Sequence, residues 1–435
     1  MSFRRLGLSV SVAAAMVAAL AATPASADTM PVIDDSQLEA LTTTVGGVGG
    51  APSLQTGNTV AHWFGQTDDP HNGVTYGYNM VGADPNNCSG TECSTTVEAD
   101  VQPLIVTLGG RTFDGRSVMN ATLNSPVFST NDYASTPFAT AGAGNLPRGT
   151  GGPLSPGDAG VSLQLEDATM RAQFNKVGGS STYHVQLQPN VLPAVEIDVP
   201  ASQGFAALTG RGVVIGLINA KWWATRIQNL MVKADPHHVP VYTTDRILLF
   251  VGSHCCVIGF HGAGLAPGSP NAVNGSGHGN GNQPVQTFIW ATYLRPGIYA
   301  RPNGGTAWAA QDIQPLSHEV AEWGDDPFVN NFVEPWLTPS APQYGCTSLM
   351  ETGDPVVGIG FAIQANNYFQ GPNPNGTQSA DGYYHPEDEV LLPWFMRTAH
   401  PTSQPVQGST TGDGRYTLMG NLNRFAGFST VATGC

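Results

Sequence analysis

The sequence predicts an α+β domain, α/β in its succession of elements, built on a mixed sheet over residues 183–435 and preceded by a largely β and loop region over 28–182. Three observations carry this. Up to about residue 180 the chain is rich in Gly, Ser, Thr, Asn and Pro, with short alternating runs such as 101–108 and 161–165. From Tyr183 onward the apolar runs lengthen, and one of them has a helical period. The 53 glycines and 33 prolines demand many turns, while 435 residues suffice to bury a sizeable core as one large or two smaller domains.

In chain order, residues 1–27 read as a secretory leader. Arg4 and Arg5 form a basic start, 6–20 is apolar, and Ala25-Ser26-Ala27 is a small-residue cleavage site. No later segment approaches about 18 uninterrupted apolar residues, so an exported protein without a membrane span is expected. The 28–182 region reads as structural or accessory. Strands follow at 184–187 and 194–199, then an amphipathic helix over about 219–234. The apolar run 246–251 reads as a buried strand continuing to 258. Residues 262–283 are too polar and glycine-rich for a core of their own, and their Gly275-Ser276-Gly277-His278-Gly279-Asn280-Gly281 stretch lacks the lysine of a phosphate-cradling loop. A further strand spans 285–294. Gln314 and Pro315 then start a helix, which Gly324 can end as a left-handed residue before Asp325, Asp326 and Pro327.

The formal charge is −15, and it becomes more negative once Arg4 and Arg5 leave with the leader. With only Lys176, Lys221 and Lys233 as lysines, the chain is a poor binder of phosphate backbones, so nucleic acid and anionic membrane are not expected partners. Six cysteines in an exported chain point to disulfides. Cys88 and Cys93 are close enough to bridge each other. The connectivity of Cys255, Cys256, Cys346 and Cys435 stays open, and no second C-x₂₋₄-C pair completes a cysteine zinc site.

The densest chemistry lies in Ser317-His318-Glu319-Val320-Ala321-Glu322. On a helix, residues four apart share a face, so His318 and Glu322 can hold one metal ion, with Glu319 about 100° round beside it. This is the geometry of a zinc hydrolase helix with Glu in place of the usual second His. Glu319 then stands where it can take a proton from water that the metal has acidified to a pKa of about 7. A pattern of three fixed positions also arises on ordinary solvated helix faces, which is the alternative.

A catalytic zinc needs a third protein ligand. Glu351 is the first choice, Asp354 the second and Asp326 the third; each alone reads equally as a turn carboxylate. His261, in Gly259-Phe260-His261-Gly262 at the end of the 247–258 strand, can polarise a substrate carbonyl, bind the metal, or be a hydrogen-bonded structural histidine. His237-His238 reads as a loop pair. The stretch Tyr383-Tyr384-His385-Pro386-Glu387-Asp388-Glu389 offers oxygen ligands for Ca²⁺ but lacks the glycine and spacing of a calcium loop.

The order of Cys256 through Gly259-Phe260-His261, a glycine-rich gap, Ser-His-Glu-Val-Ala-Glu, Asp326-Pro327-Phe328-Val329-Asn330-Asn331 and Glu351-Thr352-Gly353-Asp354 resembles secreted bacterial and fungal relatives of the plant EXORDIUM, or phosphate-induced, protein family. The resemblance covers roughly 183–435 and is loose outside those blocks. It implies a zincin-like domain, because in the microbial relatives a Ser-His-Glu-x-x-Glu helix is followed by Asp-Pro. In the plant members, associated with the cell wall and growth, the helix typically lacks the His-Glu pair. Here His318, Glu319 and Glu322 are all present, while Trp323 and Asp325 depart from the smaller or less acidic residues expected after the helix.

The expectation is therefore a secreted metal-dependent hydrolase, a zincin-like peptidase acting on a peptide or protein. His318, Glu322 and Glu351 or Asp354 would hold Zn²⁺, Glu319 would be the base, His261 would assist, and the 285–294 strand would pair with an extended peptide. A carboxylate-rich ligand set leaves Ca²⁺ as a second cofactor choice. From another class comes an exported binding or cell-surface protein with a structural metal or none. A thiol hydrolase at Cys255 or Cys256 would require a free thiol. Nothing in the sequence sets an oligomeric state.

Overall fold

One long strand, Ser94–Leu108, joins the two regions of the chain, because it pairs with His184–Val191, Val195–Asp198 and Val239–Asp245. The computed structural model describes residues 30, 32–33, 41–42, 59–88, 93–132, 161–174, 176, 181–265, 285–295, 298–299, 310–337, 346–357, 360–368, 382–398 and 417–418. The expected leader, the 275–281 stretch and Cys435 lie outside these. Among the described residues the fold is mixed α+β, mostly strands with few helices.

The main sheet runs Val32–Ile33, Gly204–Thr209, Val214–Asn219, Ile247–Val251, His254–Leu265, Val285–Tyr293, Val239–Asp245, Ser94–Leu108, Val195–Asp198. It is mixed: Val239–Asp245 is parallel to both of its neighbours, whereas His254–Leu265 is antiparallel to Val285–Tyr293. The 28–182 region, expected to be accessory, thus supplies a strand inside the sheet, and the sheet crosses the 182/183 boundary. Instead of one strand over 247–258, the chain makes a hairpin that turns at Gly252, whose φ of 62° suits a residue without a Cβ.

Alternation along the strands sorts the core into two faces. His261 opposes Ile289 and Phe260 opposes Trp290, so Ala263, Ile289 and Ala291 join one cluster while Phe260, Phe288 and Trp290 join the other. The helix Ala220–Met231 covers the second face. The Asn219 side chain caps it by accepting from the Trp222 N–H at 3.1 Å. Trp223, Ile227 and Met231, four apart, are its buried stripe; burying the last two contributes about 1.5–3 kcal/mol each.

On the first face lies the helix Gln314–Asp325, which starts where expected, with proline in its first turn. It is not a solvated helix, since every one of its residues is buried. Trp323 Nε1 donates to Thr287 Oγ1 at 3.0 Å, pinning the helix to the sheet. A second helix, Leu165–Gln173, packs beside it where the sequence suggested strand and loop. Its polar residues are buried too, and distant groups pair three of them: Asp167 with the N–H of Val185 and His184 Nδ1, Arg171 with the Tyr183 carbonyl, Gln173 with Asp325.

Two further expectations change. Val285–Tyr293 has a strand on each side and all its residues are buried, so its backbone is not open to a substrate peptide. Cys255 and Cys256 lie at disulfide distance from each other, as do Cys88 and Cys93, which removes the thiol nucleophile. No helix among the described residues is long and apolar enough to cross a membrane.

Candidate metal centre

The i,i+4 spacing on the buried helix brings His318 Nε2 to 3.0 Å from Glu322 Oε1. The other ring nitrogen, Nδ1, faces Glu387 Oε2 at 3.1 Å. Glu387 is itself set in place: its N–H donates to Ser317 Oγ at 2.9 Å and its carboxylate accepts from the Gln314 side chain. A carboxylate behind a histidine fixes the ring and its tautomer, leaving the opposite nitrogen for a ligand. The 383–389 stretch thus braces the helix through Glu387, and His385 Nδ1 is bonded to Asp312 at 2.6 Å just before it.

His261 arrives from the middle of the strand His254–Leu265, not from its end beside a glycine turn. Its Nδ1 lies 3.5 Å from Glu319 Oε2 and 3.4 Å from Glu322 Oε2, and its Nε2 lies 4.0 Å from Glu351 Oε2. Glycines make this approach possible. A Cβ on Gly259 would stand 2.5 Å from Glu319 Oε1, and one on Gly353 would strike the His318 ring. The Gly353 N–H donates to Glu322 Oε1 at 3.3 Å, tying the loop after Glu351 to the helix. Asp354 Oδ1 reaches 3.8 Å from His318 Nε2 and is 20% exposed, the most open of these groups.

Burial and charge act strongly here. Burial pushes Glu319 up to about 7 against the opposing pull of His261 and His318, and it raises Glu351 well above the usual carboxylate range. Burial would raise Glu322 as well, but His318 and His261 on either side hold it far below that range. Both imidazoles lose solvation, yet Glu319 and Glu322 around His261, and Glu322 and Glu387 around His318, raise them well above the ordinary histidine value.

Two expected residues do other work. Asp326 accepts from the backbone N–H groups of Asn330 at 2.9 Å and Asn331 at 3.2 Å, building the turn in which Val329 takes φ 52°; it belongs to neither three-donor group described below. Gly324 is helical and does not end the helix, which runs on to Asp325. Its missing Cβ makes room for the Glu166 carboxylate.

Two buried three-donor groups result, His318–Glu319–Glu322 and His261–Glu322–Glu351, each with donor atoms within 4.8 Å of one another. These groups can hold a metal ion. Both nitrogens of His261, both carboxylate oxygens of Glu319 and of Glu351, and Nε2 of His318 are buried without a well-aligned hydrogen bond, and only imidazole–carboxylate contacts of 3.0–4.0 Å hold them together. Leaving buried polar atoms unpaired costs about 1–3 kcal/mol each, more when they are charged, so a convergent set of them fits a cation. No family model, curated protein or solved structure matches this chain. Function has to be argued from the site. A third group, Glu98, Asp100 and His238, lies nearer the surface and involves one of the loop histidines; there Asp100 is already bonded to Asn190.

The sequence had no signal for Glu387 as the partner of His318, since sixty-nine residues separate them. The run of glycines at 259, 262 and 264 around His261 was the one hint that something approaches that strand closely.

Proposed function

We propose that the protein is a secreted metal-dependent hydrolase, a zincin-like peptidase using Zn²⁺. The observation that carries this reading is the group His318–Glu319–Glu322, two ligand types and a carboxylate on one buried helix turn, with donor atoms within 4.8 Å of one another. His318 Nε2 and Glu322 would hold the ion, with a carboxylate of the 351–354 loop completing the set; Asp354 Oδ1 is the one facing Nε2. Zinc so held would acidify a water to a pKa of about 7 and polarise a carbonyl. Glu319, raised to about 7 by burial, is suited to accept a proton near neutral pH. Glu387 orients His318, and the packed sheet keeps the helix in place. The two cysteine pairs agree with export.

One observation favours a second reading. His261, His318, Glu319, Glu322 and Glu351 are all 4% exposed or less, the burial of a closed structural site. Calcium or zinc would then brace an exported binding protein. Elemental analysis of the mature protein beside a His318→Ala variant, followed by peptide-library assays of wild type and Glu319→Gln, separates the readings. The hydrolase requires bound metal and peptide cleavage that Glu319→Gln abolishes without losing the metal. Bound metal without cleavage of any peptide supports the structural role, and no metal in either protein ends the hydrolase reading and leaves a binding protein without a metal.

A further inference from the structure

Glu322 turns its two oxygens to different histidines. Oε1 lies 3.0 Å from His318 Nε2, while Oε2 lies 3.4 Å from His261 Nδ1. The two imidazoles fall in different three-donor groups, and Glu322 is the residue common to both. On the second side, His261 is fully buried and Glu351 is 4% exposed, and neither has a hydrogen bond to any ring nitrogen or carboxylate oxygen. With Asp354 as the third ligand of the His318 ion, this second side is left as a donor set of its own.

A carboxylate with one oxygen directed at each of two donor sets is the geometry of a bridging ligand. Two-metal hydrolytic sites place their ions about 3.5–4 Å apart, a span one carboxylate can bridge. Glu319, Glu322 and Glu351 converge around His261 inside a desolvated core. We propose a second divalent-cation site formed by His261, Glu322 and Glu351, sharing Glu322 with the His318 ion. The ligand is a transition-metal dication such as Zn²⁺, or the harder Mn²⁺, as one imidazole with two carboxylates allows. Glu319 lies between the two sides, 3.5 Å from His261 and in one group with His318, and stays the proton acceptor. The inference rests on the proposed metal-dependent function and deepens it.

The test is stoichiometry. The mature protein is stripped with chelator, reloaded with Zn²⁺, desalted and analysed for metal per chain, with His261→Ala and Glu351→Gln beside it and circular dichroism as a check of folding. Two zinc ions in wild type, falling to one in each variant, are expected. Independently of any variant, wild type loaded with Mn²⁺ should give the electron paramagnetic resonance spectrum of a spin-coupled pair. One zinc per chain with an uncoupled Mn²⁺ spectrum overturns the second site and leaves the hydrolase proposal standing. A single zinc in wild type that is lost in His261→Ala as well as in His318→Ala also overturns it, because both rings would then serve one ion. No metal at all overturns the second site together with the function beneath it.

Discussion

Glu387 Oε2 sits 3.1 Å from Nδ1 of His318, on the side of the ring away from Glu322. Sixty-nine residues apart in sequence, the two are joined by a contact that selects which nitrogen faces the donor group. Glu387→Gln keeps the shape and weakens the acceptor. It should lower zinc affinity about 10–100-fold, the range found for carboxylates behind ligating histidines. Competition against a chromophoric chelator measures this, and an unchanged affinity would mean that Nδ1 does not set the tautomer.

Glu319 is a carboxylate of the three-donor group that the ligand role does not require. Glu319→Gln should retain zinc and the native melting profile while cleavage falls by about 10²–10⁴, the usual worth of a general base. Loss of metal in this variant would instead place Glu319 among the ligands.

The charge state of the centre gives a pH dependence with a definite sign. In the metal-free protein His261 and His318 titrate well above their unfolded value of about 6.5, so the stability they contribute is full below that pH and is lost as pH rises through the folded values. Glu319, raised to about 7, adds a penalty that builds as pH climbs from its unfolded value toward 7. Glu322 is ionised in both states through this window and adds no slope. Zinc displaces the imidazole protons, so it binds better as they leave. The rise in Tm on adding zinc should therefore grow from pH 5.5 to pH 7.5. Melts with and without zinc at three pH values check it, and an increment that is flat with pH would refute the assignment of the histidines as ligands.

How far such a site can be read from sequence depends on where its partners come from. The helix Gln314–Asp325 is legible because its start and its ligand pair are local: Pro315 for the first turn, and His318 with Glu322 at one helical repeat. The strand Val285–Tyr293 is legible as a continuous apolar run. Leu165–Gln173 is not, because Glu166, Asp167, Arg171 and Gln173 look like a solvated set until Asp325, His184 and Tyr183 arrive from elsewhere to bury them. His261 fails for the same reason. Its environment is a strand register opposite Ile289 and a helix more than fifty residues on, neither of which the sequence near it encodes.

Gly324 offers a test in which two effects oppose each other. Inside an ordinary helix Gly→Ala gains about 1 kcal/mol. Here the new methyl would collide with the Glu166 carboxylate, which is buried in the core and would have to shift there. Overpacking of that kind costs about 1–3 kcal/mol, so Gly324→Ala should be destabilising on balance, by an amount on the order of 1 kcal/mol. Glu166→Ala removes the obstacle. In the double variant the helix-propensity gain should reappear, giving a coupling energy of about 1–3 kcal/mol in a double-mutant cycle read by urea unfolding. A glycine needed for its backbone angles instead would show the same loss with or without Glu166, and that additivity would exclude the close approach as its reason.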